Sequence, residues 1–177
     1  MLRWYTTTES ACMELPPVEV LGWPAAGFAL LRELDRPGRL MLIIAPPRDA
    51  LALLCQFAAL AGQPVTSVSE VALAGPMEWS ERNLTERLQG ARFLADLECL
   101  FWKPIWGIDP LRLCRRMAQK HGVVACWPGE IRDRMARFSA HGRPDHFEVP
   151  VSDLVVLRPV PTHFPDEAPF SLMRIPV

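Results

Sequence analysis

The chain has 177 residues, half of them hydrophobic and 22% charged, with a formal net charge of −1. Those values fit one compact domain and exclude a chain too polar to fold. They also exclude a global positive field that would draw in nucleic acid or an anionic membrane, so any DNA contact has to be local or supplied by a partner.

No apolar run reaches the roughly 18 to 20 residues that a membrane span needs. Met1-Leu2-Arg3-Trp4-Tyr5-Thr6 carries no long apolar stretch, so no secretory signal is expected. The five cysteines (Cys12, Cys55, Cys99, Cys114 and Cys126) form no CxxC pair, and most sit in apolar runs. They read as small buried hydrophobes in a reducing, cytoplasmic setting. His121, His141, His146 and His163 show no ligand spacing, so no metal site is expected.

Along the chain, Phe28, Leu31 and Leu34 recur at helical spacing from Ala25 to Asp35, and Pro37-Gly38 ends that pattern. Arg39 to Ala45 reads RLMLIIA, the continuous apolar run of a strand covered on both faces. After Pro46-Pro47-Arg48, Asp49 is the expected N-cap of a helix through Leu60, stopped by Gly62. Pro64 to Val68 reads as a short strand. Ser69 is expected to cap a brief helical turn that Gly75-Pro76 breaks. Ser80 starts a helix carrying Leu84 and Leu88, ended by Gly90, and Ala91 to Ala95 is a second apolar strand. Asp109-Pro110 is a strong helix start, with Leu111, Cys114, Met117 and Ala118 on the buried face and Gly122 at its close. Val123 to Trp127 is a third buried strand. Beyond Pro128-Gly129 the pattern weakens, although Phe147 to Val149 and Leu154 to Leu157 read as β segments. Arg158 to Val177 is Pro-rich and without period, either a packed extended arm or a disordered one.

Apolar strands alternating with amphipathic helices predict an α/β layered fold with a mostly parallel sheet flanked by helices. The expected organisation is an N-terminal extension over 1–24, a domain over 25–157 and a C-terminal arm over 158–177. Ligands of such sheets sit beyond the carboxyl ends of the strands, and two ends stand out, Ala45-Pro46-Pro47 and Asp96-Leu97-Glu98. A strand, a phosphate loop and a helix, followed by an apolar strand ending in acids, is the layout of a P-loop NTPase. In the working loop G-x-x-x-x-G-K-[ST], glycines let backbone N–H groups wrap the phosphates, lysine neutralises charge, and the hydroxyl holds Mg²⁺. Laid over it, this chain reads Ala45-Pro46-Pro47-Arg48-Asp49-Ala50-Leu51-Ala52. Alanines stand at both glycine positions, Leu51 replaces the lysine, and Ala52 replaces the hydroxyl. Asp49 would repel phosphate.

The second half carries a family resemblance. Phe93-Leu94-Ala95-Asp96-Leu97-Glu98-Cys99-Leu100-Phe101, Asp109-Pro110-Leu111-Arg112-Leu113 and Val123-Val124-Ala125-Cys126-Trp127-Pro128-Gly129 resemble the BrxF P-loop proteins of type 3 BREX bacteriophage-defence systems. A later run, Gly142-Arg143-Pro144-Asp145-His146-Phe147, stands where that family has a "G-H-P-E-Y"-like segment. The likeness covers about Arg39 to Leu157 and is weakest at the phosphate loop, which is intact in the family. It implies a three-layer P-loop NTPase-like fold with an ASCE/AAA-type core, and a defence setting. Asp96 and Glu98 would stand where the family's Walker B acids hold Mg²⁺ and activate water. Without the lysine and hydroxyl, which act with them as a unit, they read as strand-end acids facing solvent or capping the next segment.

Phe101, Trp102 and Trp106 are either core or an exposed partner-binding patch. Arg112 and Arg116, four residues apart on one helix beside Arg115 and Lys120, make either a solvated face or a stripe for DNA or an acidic partner. Arg132, Arg134 and Arg137, with His141 and Arg143, form a second basic cluster expected in a loop. No G-x-S-x-G elbow is present. The expectation is therefore a non-enzymatic subunit, without cofactor, that contacts other subunits of a defence system or copies of itself. One alternative is a nucleotide-binding or ATPase subunit whose ATP–Mg²⁺ site a neighbour completes; another is a DNA-binding adaptor.

Overall fold

The structure, a computed structural model, describes residues 18–74, 80–101, 108–139, 146–160 and 170–176. Its centre is the run read above as a doubly covered strand, β2 (Leu40–Ile43), in which all four residues are buried. Leu40 and Leu42 enter one hydrophobic cluster while Met41 and Ile43 enter another, so the two-residue period of a strand feeds a core on each face.

Four parallel partners surround or extend β2. On one side lie β5 (Val123–Cys126), β4 (Phe93–Ala95) and β3 (Val65–Ser67) in that order; on the other lies β9 (Leu154–Pro159). Two antiparallel strands continue the sheet beyond β9: β10 (Phe170–Ile175), then β1 (Val18–Leu21) at the edge. The seven-stranded order is β1-β10-β9-β2-β5-β4-β3. Val18–Leu21 and Phe170–Ile175, placed by sequence in an extension and an arm, are thus paired strands of the main sheet.

Helices α1 (Ala25–Leu34) and α2 (Pro47–Leu60) cover one face through Leu30, Leu34, Leu54 and Phe57. The buried side of α1 is Ala26, Leu30, Glu33 and Leu34, whereas Phe28, expected to face the core, is 53% exposed. The other face takes α3 (Val68–Leu73), α4 (Glu81–Arg87) and α5 (Pro110–Ala118), together with a short 3₁₀ helix over Leu97–Phe101. Ser67 caps α3 by accepting from the Glu70 N–H at 3.2 Å, a place expected for Ser69. Gly75-Pro76 lies outside the described residues. Ser80 caps α4, and Asp109 caps α5 by accepting from the N–H groups of Leu111 and Arg112. Gly122 is required by packing rather than by its torsion: a Cβ there would lie 2.5 Å from the Leu34 carbonyl oxygen, to which its N–H donates at 3.0 Å.

After β5 the chain forms a small antiparallel sheet of β6 (Glu130–Arg132), β7 (Met135–Ser139) and β8 (His146–Pro150). Asp133 and Arg134 make the two-residue turn between β6 and β7, both at positive φ (50° and 58°). Ile131 and Ala136 of this sheet join the same cluster as Trp127 and α5, which docks it on the main domain.

Glu33, 3% exposed, is the buried charged residue of the described core. Arg39 and Arg174 each approach it to 3.1 Å, and Arg36 to 3.6 Å. Arg39 also reaches Asp153 at 2.6 Å and Arg174 reaches Glu19 at 2.7 Å. This network ties α1 to β1, β10 and the start of β9.

Candidate functional site

At the carboxyl edge of the parallel strands lies a cavity of about 250 Å³. Ala45, Pro47, Arg48 and Leu51 form one wall, from the end of β2 into α2. The ends of β4 and β5 supply the rest: Ala95, Asp96 and Glu98 from one, Cys126, Trp127 and Pro128 from the other. This is where open α/β sheets bind their ligands.

The β2–α2 connection decides what the cavity can hold. Only Ile44, Ala45 and Pro46 separate the two elements, because α2 begins at Pro47. Pro46 is the N-cap and Pro47 the first helical residue, where a fixed φ near −65° and a missing N–H suit the helix. The expected cap, Asp49, instead lies in the first turn. The stretch Pro47 to Ala52 is therefore helix and not a loop, and the spacing laid over a phosphate loop does not describe one. Two of the helix's leading positions are prolines without an N–H, and the Ala50 N–H is taken by the Pro46 carbonyl at 2.9 Å. Arg48 and Asp49 keep the free N–H groups, a thin remnant of the donors a helix start can offer an anion. Ala50 is buried at 3%, while Leu51, 44% exposed, lines the cavity without filling it, and Asp49 and Ala52 are exposed.

Asp96 and Glu98 do stand together at the end of β4. Asp96 has φ of 61°, a left-handed conformation that aspartate tolerates better than most residues. Its Oδ2 accepts from the Ser67 hydroxyl at 2.6 Å and from the Ser69 hydroxyl at 3.2 Å, which fixes the carboxylate against β3 and α3. Glu98 is exposed on the 3₁₀ helix. Their field reaches the thiols around them. Burial first, then Glu98 and Asp96, push Cys126 up to about 12, with Cys55 adding to the shift. Cys99 is raised to about 12 by burial and then by the same acids. Cys55, expected to be buried, is exposed. Among the described residues, no group of three or more His, Cys, Asp or Glu could hold a metal ion.

Several arginines of the basic clusters are held by contacts within the chain. Arg112 and Arg116 share Glu81 of α4, at 2.5 Å and 3.3 Å, and Arg115 donates to the Ser152 carbonyl at 2.8 Å. Arg132, Arg134 and Arg137 lie on a hairpin and not in an irregular loop: Arg137 pairs with Glu148 at 3.0 Å and Glu130 at 3.8 Å, and Arg132 lies 3.5 Å from Asp133. Phe101 ends the 3₁₀ helix, but its side chain and Trp102 and Trp106 lie outside the described residues. Ser67, Ser69, Cys126 and Trp127 were not expected at the site, although Val123 to Trp127 was read as a strand. Pro128-Gly129 marks the end of that strand, the one signal that could have found the last two. No helix of the described residues is long and apolar enough to cross a membrane.

No family model, curated protein or solved structure matches this chain.

Proposed function

We propose that this chain is a non-catalytic, P-loop-derived subunit of a BrxF-like antiphage defence assembly, acting through protein–protein contacts. One observation carries the proposal: only three residues lie between the central strand and the next helix, where a phosphate loop would have to open, while two acids stand at the end of β4. Counted along the chain, the five parallel strands stand in the order 5-1-4-3-2. That order supports an ASCE-type core, in which the first strand leads to the phosphate loop and the third ends in the catalytic acids. The loop's chemistry is absent twice over, in residue type and in backbone shape. Neither the prolines nor Leu51 can wrap or neutralise a triphosphate, and a carboxylate pair without a phosphate cradle has nothing to act upon.

The cavity beside Asp96 and Glu98 favours a second reading, in which an adjacent subunit brings the missing cations and the acids serve a shared ATP–Mg²⁺ site. Two arms separate the readings in a host that carries the assembly. Under the scaffold reading, phage protection is lost on deleting the chain, while ATP hydrolysis by the assembly is unchanged in Asp96→Asn and Glu98→Gln. Loss of protection in those two variants, with ATP hydrolysis lost alongside, would move the assignment to the shared site. A DNA adaptor role draws little support, since Arg112, Arg116 and Arg137 are already paired with carboxylates.

A further inference from the structure

Resting on the scaffold reading, we infer that the cavity at the strand ends receives an arginine side chain from a different protein chain, with Glu98 and Asp96 holding its guanidinium. Three observations lead there. The walls are mostly apolar, with Leu51, Pro47 and Pro128 among them, and about 250 Å³ accommodates one long side chain, whose methylene stem packs on such surfaces. The charge is complementary to a cation: two carboxylates face one arginine, Arg48, and no ion pair among the described residues joins Arg48 to either acid. The pair is also prepared for this task. Both serine hydroxyls bond Asp96 Oδ2, which leaves Oδ1 as an acceptor, while Glu98 is exposed and keeps both oxygens available.

The raised Cys126 thiol, which lines the cavity, accords with a negative field there, since Glu98 and Asp96 push it upward after burial. Guanidinium suits the place better than ammonium: it is more weakly hydrated and meets a carboxylate with two parallel hydrogen bonds. The chain's own described arginines are mostly committed, to carboxylates at Arg39, Arg112, Arg116, Arg137 and Arg174, and to carbonyls at Arg115 and Arg158. A different chain is therefore the better donor than a second copy.

The test is an NMR titration of the isotope-labelled full chain with N-acetyl-arginine amide, with its neutral citrulline analogue, and with ATP–Mg²⁺. Saturable shifts at Arg48, Leu51, Glu98 and Trp127 are expected from the arginine probe, weakened about tenfold in Glu98→Gln, the scale of one charge-assisted hydrogen bond. The citrulline probe should leave those amides unmoved. No saturable shift with the arginine probe, equal binding in Glu98→Gln, or equal binding of citrulline overturns the inference while the scaffold reading stands. Saturable shifts from ATP–Mg²⁺ at the same amides overturn the scaffold reading, and the inference with it. Self-association of the chain that is lost in Glu98→Gln overturns the assignment to a different chain.

Discussion

Replacing Glu33 with glutamine removes the negative charge on which three arginines converge while keeping the side chain's shape. Glu33 is buried, and Arg39 and Arg174 each stand 3.1 Å from it. Breaking a fully buried ion pair costs about 3–5 kcal/mol, because the surviving charge is left uncompensated. Here the survivors retain some help. The Arg39 and Arg174 side chains are 24% and 37% exposed, and each keeps a second carboxylate, Asp153 at 2.6 Å and Glu19 at 2.7 Å. Water and those acids offset part of the penalty, so a loss of about 2–3 kcal/mol is expected. For a domain of this size that lowers Tm by about 5–10 °C. Urea and thermal unfolding of the full chain measure it, with Asp153→Asn, an exposed partner, as a control expected to cost less than about 1 kcal/mol. A loss below about 0.5 kcal/mol in Glu33→Gln, the range of an ordinary surface substitution, would refute the view that this network fastens β1 and β10 to α1.

Four further outcomes follow from the same structure. Gly122→Ala forces a Cβ to 2.5 Å from the Leu34 backbone and should destabilise by at least about 1–3 kcal/mol in urea titration; a neutral result would contradict the close approach of α1 to the start of β5. Among the described cysteines, Cys55 should alkylate first at pH 8 by mass spectrometry, since Cys99, Cys114 and Cys126 are held up to about 12 and stay protonated. With folded values above the ordinary thiol value of 9.0, these three groups bind more protons folded than unfolded, so their contribution is intact below pH 9 and is lost as pH rises towards 12; stability rising across that window would show the burial to be wrong. Duplex DNA should bind at most weakly at physiological salt, because the net charge is −1 and Glu81 engages both Arg112 and Arg116; tight binding that weakens steeply with salt and is lost in Arg112→Ala/Arg116→Ala would reverse that assessment.

Much of the parallel core could be read from the chain because its signals are local. β2 shows as an unbroken apolar run since both of its faces are buried, and α5 shows because Asp109 and Pro110 cap and start it within two residues. The terminal strands gave no such signal. β1 is four residues long with three exposed, and its partner β10 lies some 150 residues away, so only the folded sheet identifies it. The β6–β7 hairpin was hidden by its turn, where Asp133 and Arg134 take positive φ without the glycine that usually marks such a place. The α2 boundary was misplaced for a related reason: Pro46-Pro47 reads as a connection, yet proline at the first helical position starts a helix. In the site, the ends of β2 and β4 were legible as strand termini. The hydroxyls of Ser67 and Ser69, 29 and 27 residues from Asp96, meet it only because β3 and β4 are neighbours.

Whether the turn from β2 into α2 leaves room for a triphosphate is tested by a calorimetric titration of the purified full chain with ATP–Mg²⁺. No saturable heat is expected, with Asp96→Asn indistinguishable from the unaltered chain, because only three residues separate the end of β2 from Pro47, where α2 begins, and leave no open loop to wrap a triphosphate. Saturable binding that Asp96→Asn abolishes would overturn the scaffold reading and assign a nucleotide site to the ends of β2 and β4.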